Sequence, residues 1–178
     1  MNFRSVNVII KPRHIFPWRK QKIQVEGLHM LYARRCLRLF SSAIELRDQQ
    51  SGDLMVRISQ PKLYKAEYMV ENAHTTYTIR KVSYWHWECY SPNEQLAINR
   101  LSGIKCILSE QGRQIAIMSL NSNIPFLEDR NTYIRVNNEK YMYLSIAAAL
   151  ILKGTGIHFN SLLQQNKLSP IRTLELAR

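Results

Sequence analysis

One stretch of this chain leaves little choice of structure. From Tyr141 to Leu152 it reads Tyr-Met-Tyr-Leu-Ser-Ile-Ala-Ala-Ala-Leu-Ile-Leu, with Lys140 and Lys153 on either side. Three successive alanines (Ala147, Ala148, Ala149) are poor strand material and strong helix formers. A helix apolar around its whole circumference has no face to give to water and must be buried on every side. At the helical rise it would be about 18 Å long, whereas a bilayer crossing takes roughly 20 apolar residues. The segment is too short to span a membrane. It is expected to be a helix enclosed by the chain's own sheet, with an apolar helix between ordinary layers as the alternative.

What precedes it reads as short strands. Alternating or β-branched runs occupy residues 5–10, 22–25, 43–47, 54–59, 64–70, 77–82, 84–90, 104–108, 114–119 and 132–136, with a further segment ending at Leu101. Residues 28–39 fit either period. Gly52 and Gly112 mark turns inside two similar strand–turn–strand units, an echo that a meandering antiparallel sheet produces naturally. In residues 84–90 the period of two puts His86 and Glu88 on one face with Tyr84 and Tyr90. Trp85, Trp87 and Cys89 fall on the other, the expected core face. Gly154-Thr155-Gly156 is read as the helix stop.

The charge is uneven. Of a net +12, residues 1–38 hold nine basic groups against the single acid Glu26, and the remaining chain holds 16 basic and 12 acidic groups. Such asymmetry points to an anionic partner, either an acidic membrane surface or nucleic acid. Lys11, Arg13, Trp18, Arg19, Lys20, Arg34, Arg35 and Arg38 are the candidate binding residues, since Trp18 adds an interface-favouring aromatic to the cations. The stem of Arg35 is also a candidate to cover the sheet. Hydrophobic content of 46% and charged content of 21% are those of an ordinary globular protein. No leader or spanning segment is read, so the expected location is cytoplasmic and peripheral at a membrane. Cys36, Cys89 and Cys106 are odd in number and widely spaced, which fits free thiols rather than a disulfide framework or zinc site.

Phe-Ser-Ser-Ala-Ile-Glu-Leu-Arg-Asp (40–48), Gly-Asp-Leu-Met-Val-Arg-Ile-Ser-Gln (52–60) and Lys-Leu-Tyr-Lys-Ala-Glu-Tyr (62–68) resemble successive strands of the tubby C-terminal-like superfamily. That group includes LURP-one-related proteins, phospholipid scramblases and small bacterial members. Tyr-Ile-Arg-Val (133–136), the Asn137-Asn138 turn and the helix that follows resemble its closing element. The resemblance implies a mostly β fold: a closed antiparallel β-barrel of about a dozen strands around a single buried hydrophobic C-terminal helix. The resemblance covers roughly residues 23–153; the chain is read as one domain over residues 1–153, basic N-terminal segment included, with 154–178 a polar tail that is either a short helix or disordered. The resemblance also implies an anionic lipid or other anionic partner. The acidic cluster that calcium binding would need is absent, Glu128-Asp129 being the nearest approach.

Other chemistry leaves few traces. His14, His29, His74, His86 and His158 have neither helical pairing nor a cysteine at ligand spacing, so no metal is expected. Six glycines supply no phosphate-cradling loop and hence no nucleotide cofactor. His86 and Glu88 are the best acid–base candidates, although neighbours two apart on a strand lie nearly 7 Å from each other. No catalytic residues are assigned. The expected role is a non-catalytic binding module for an anionic partner, with a nucleic-acid-binding or transcription-related regulator as the alternative.

Overall fold

The structure, a computed structural model, describes residues 5–12, 20–37, 42–62, 65–102, 104–120 and 131–155. Among the described residues are twelve strands: β1 (Val6–Ile10), β2 (Gln21–Val25), β3 (His29–Leu37), β4 (Ser42–Asp48), β5 (Leu54–Gln60), β6 (Glu67–Asn72), β7 (Thr76–Lys81), β8 (His86–Tyr90), β9 (Gln95–Arg100), β10 (Lys105–Glu110), β11 (Arg113–Leu120) and β12 (Thr132–Val136). Each pairs antiparallel with its sequence neighbours, and β1 pairs with β12 to close a barrel. Closure matters because an open sheet of this length would leave two edges with unpaired backbone groups. Residues 28–39, undecided by periodicity, contain the longest strand, β3.

The alternation read from the sequence becomes an inside and an outside. Val6, Val8 and Ile10 of β1, Ile23 and Val25 of β2, and Ile134 and Val136 of β12 are buried, while the residues between them face out. On β11 both Ile115 and Ala116 are buried, where the pairing with β10 shifts register at Leu108/Ser109. A bulge of this kind sends two consecutive side chains inward and bends the strand. Two of the hairpins turn on a pair of left-handed residues: Glu26 and Gly27 (φ 50 and 75), and Gln111 and Gly112 (φ 48 and 83). That backbone matches the twist of paired strands, and glycine reaches it without strain.

Trp85 corrects the sequence reading. Strand parity put it in the core with Trp87, but β8 begins only at His86 and Trp85 belongs to the preceding turn. The Ser83 hydroxyl accepts from the Trp85 and His86 amides at 3.2 and 3.1 Å, and the Val82 and Ser83 amides both donate to the His86 carbonyl. Those bonds hold the turn outside the barrel wall, and parity has no meaning there. Trp87 is 4% exposed and Trp85 54%.

After β12 the chain turns through Asn137, whose amide donates to the Ile115 carbonyl, and through Asn138, whose side chain accepts from the Lys140 amide. A short 3-10 turn (Glu139–Tyr141) leads into α1 (Met142–Leu150). Every residue of α1 except Tyr143 is buried, as an all-apolar helix requires. Its contacts reach β11 and β12 on one side and β5 and β6 on another; in the ring order, β12 and β6 stand half a turn apart. The helix was expected to run to Leu152. It instead widens into a π-helical turn at Ile151–Thr155, where the expected glycine stop begins. The expected tail beyond residue 155 lies outside the described residues.

Candidate anion-binding end

In a barrel whose strands run alternately up and down, successive connections fall at alternate ends. Among the described residues of the connections, 11–12, 20, 61–62, 65–66, 82–85, 101–102, 104 and 131 fall at one end, and 26–28, 49–53, 73–75, 91–94, 111–112 and 137–141 at the other. The first set holds four basic residues and no acidic one, the second one basic and four acidic. The first is called the basic end and the second the acidic end.

The candidate residues fall on this plan as follows. Lys11 is exposed just past the last residue of β1, and Lys20 is exposed just before β2, its Nζ 4.1 Å from the Tyr32 ring centre. Arg34 is exposed on the outer face of β3, in the half of that strand running toward the basic end. Arg35 is half-buried and shares the inward parity of Leu31 and Ala33, with Nε and one terminal nitrogen shielded from solvent. Burial raises the pKa of the Tyr68 phenol, and the positive charge of Arg35 partly offsets that rise. The side chain of Arg35 is thus turned away from the exposed cations. Arg13, Trp18, Arg19 and Arg38 lie outside the described residues.

Topology adds cations that no local motif revealed. Lys62 and Lys65 on the β5–β6 connection, Lys81 at the end of β7 and Lys105 at the start of β10 are all exposed at the basic end. Counting turns by parity along the strand series would have found them. None of these lysines, nor Lys11, Lys20 or Arg34, belongs to an ion pair among the described residues.

Two carboxylates at the acidic end, Glu94 and Asp48, are held by neighbours. The Tyr77 hydroxyl donates to Glu94 Oε2 at 2.8 Å, and Lys140 Nζ bonds Glu94 Oε1. Burial pushes the Glu94 carboxyl up, but the bonds from Lys140 and Tyr77 outweigh it and hold it below the ordinary carboxylate value. Asp48 accepts from the Ser51 and Gln50 amides and meets His29 Nε2 at 3.1 Å. The Ser51 amide contributes most to lowering its pKa, against the cost of burial. Beyond α1 the pattern reverses. Lys153 Nζ is shielded, has no hydrogen-bond partner among the described residues, and burial pushes its pKa down to about 8.

The acid–base pair considered from sequence is not assembled. His86 Nδ1 is 2.8 Å from the Asn99 amide oxygen, while Glu88 accepts from Arg80 at 2.7 Å across the strand pair. Each partner belongs to the outer wall, where such a pair contributes little to stability. Cys36 is half-buried; Cys89 and Cys106 are buried, and burial pushes the Cys89 thiol up to about 12. Among the described residues no group of His, Cys, Asp or Glu could hold a metal ion, and no helix is long and apolar enough to cross a membrane. Comparison with family models, with characterised proteins and with solved structures returns no match.

Proposed function

We propose that this chain is a non-catalytic binding module of the tubby-like kind, which engages an anionic partner, an acidic lipid surface or acidic ligand, through the basic end of its barrel. The observation that carries this reading is the contrast in ion pairing. Two acidic-end carboxylates, Glu94 and Asp48, are held by Tyr77, Lys140 and His29, whereas Lys11, Lys20, Arg34, Lys62, Lys65, Lys81 and Lys105 are exposed and form no ion pair among the described residues. An array of exposed charges of one sign attracts a partner of the opposite sign and raises its local concentration. Near an acidic bilayer each cation contributes about 1 kcal/mol, so four of them reach roughly 4 kcal/mol of salt-sensitive binding.

The helix belongs to the same proposal. Eight strands enclose a space that side chains fill, and sixteen or more leave a channel. Twelve lie between and leave room for a further element, and a helix is about 10 Å wide. Burial of α1 on all sides and its contacts with strands half a turn apart support a course along the barrel axis. That course makes the barrel a solid scaffold whose ends, rather than its interior, are available to partners.

Co-sedimentation with phosphatidylserine-containing and pure phosphatidylcholine vesicles tests the binding. Enrichment on the acidic vesicles, lost at high salt, is expected, and equal partitioning to both would count against a lipid partner. A duplex or single-stranded nucleic acid that retained the protein while acidic vesicles did not would transfer the basic end to the alternative partner, with the steep salt slope of phosphate contacts.

A further inference from the structure

The basic end also carries something that charge alone does not require. Val82, Tyr84, Trp85 and Leu101 are 55%, 52%, 54% and 56% exposed. They form half of the large apolar side chains that the described residues leave open to solvent; the others, Leu28, Leu54, Tyr90 and Tyr133, lie elsewhere on the barrel. All four sit on two connections, β7–β8 and β9–β10, flanking the paired strands β8 and β9.

These connections are built to hold their side chains outward. The Ser83 hydroxyl and the two amides donating to His86 fix the first turn, and the Arg100 amide donates to the Trp85 carbonyl at 2.8 Å, tying it to the end of β9. The Ser102 hydroxyl accepts from the Ile104 and Lys105 amides and fixes the second turn in the same manner. Tyr84 and Trp85 meet edge to face with ring centres 4.9 Å apart, and the Arg100 guanidinium lies 4.6 Å from the Tyr84 ring centre. The aromatic pair is therefore a fixed projection rather than a loose loop. Clustered apolar side chains in water are unfavourable and mark an interaction surface.

Resting on the anionic-partner reading above, we infer that these two connections form an aromatic wedge that enters the headgroup layer of an acidic bilayer. Tyrosine and tryptophan favour that layer because one edge of each ring is apolar and the other can hydrogen-bond. Lys81 and Lys105, exposed beside the wedge, and the lysines of the neighbouring connections supply the cations that would meet acidic headgroups around it. The charge complementarity favours a lipid surface over an apolar protein groove, which would have to bury these lysines. Insertion, added to attraction, gives firmer binding than either alone.

Tryptophan emission tests this, since Trp87 is buried in the barrel and the chain's only other tryptophans are Trp18 and Trp85. In a Trp18→Phe variant, vesicles of phosphatidylcholine with 30% phosphatidylserine (~30 mol %, enough to give an acidic surface) are expected to shift Trp85 emission to the blue. Brominated lipid in those vesicles should quench it, and vesicles of phosphatidylcholine alone should do neither. Subtracting the spectra of a Trp85→Phe variant from wild type gives the same readout without altering Trp18. Trp85→Ala with Leu101→Ala should weaken partitioning about tenfold. Sedimentation on acidic vesicles with Trp85 emission unshifted and unquenched would overturn the wedge and leave the anionic reading standing. Failure to sediment would overturn both the wedge and the lipid form of that reading.

Discussion

The described residues at the two ends of this barrel treat their charge in opposite ways. At the acidic end Glu94 is held by Tyr77 and Lys140, and Asp48 by the backbone of its own turn and by His29. At the basic end lysines stand exposed with no ion pair among the described residues, and two connections present aromatic and aliphatic side chains to water. The first arrangement ties the β8–β9 turn to the residues that lead into the helix. The second leaves unfavourable exposure in place, and a surface tolerates that where something else completes it. The same scaffold thus carries, among the described residues, one end with carboxylates held by neighbours and one end with exposed cations and apolar side chains.

The substitution with the largest effect removes both ends together. Ala148 is wholly buried within α1, so Ala148→Asp places a carboxylate where nothing can solvate or pair it. We expect loss of the folded barrel, read as absence of a cooperative thermal transition by circular dichroism. A variant that melted within a few degrees of wild type would show that the helix is peripheral.

Next in size is the amine at the far end of the helix from the Glu94 cluster. The ordinary lysine value is 10.5 and Lys153 in the fold is near 8. Between those values the unfolded chain binds more protons, so stability should rise as pH increases from about 8 to about 10.5. Lys153→Met should stabilise the protein by about 1–3 kcal/mol at neutral pH and flatten that alkaline rise. Urea melts at several pH values measure it, and an unchanged midpoint would mean that the amine is solvated.

Glu94→Gln tests the opposite end. The folded pKa of Glu94 lies below its ordinary 4.5, so its contribution is present above that value and fades as pH falls through the lower folded one. The substitution should cost about 1–2 kcal/mol at pH 7 and shrink to near nothing in strong acid. Equal losses at both pH values would assign the effect to packing. The smallest effect belongs to the wedge: Trp85→Ala should alter stability by less than about 0.5 kcal/mol, because an exposed side chain has little packing to lose. A larger loss in the same melts would make the turn part of the fold's support.

Much of this was legible in the residues. Strands such as β4, β5, β11 and β12 announce themselves because half-buried walls need a period of two, and α1 because three alanines within an all-apolar run have no strand solution. Trp85 was misplaced because periodicity extends a strand's parity into a turn that the Ser83 hydroxyl ends. β3 stayed ambiguous because inward Arg35 interrupts the apolar face that would have marked its period. The basic segment was visible as a density of charge. Its extension through Lys62, Lys65, Lys81 and Lys105 was not, since residues so far apart in the chain become neighbours only when strand order is known.

The polarity of the barrel can be tested with the total charge held equal. Lys11→Glu/Lys62→Glu reverses two exposed cations at the basic end, and Arg113→Glu/Arg135→Glu reverses two residues of exposed character toward the other end. The two variants have the same net charge and differ only in where it was changed. In partitioning onto phosphatidylserine-containing vesicles, the first should bind at least about tenfold more weakly than wild type, at about 1 kcal/mol for each lost cation. The second should stay within about twofold of wild type. Equal weakening of both would mean that net charge alone attracts the protein, and the basic end would have no special part in binding.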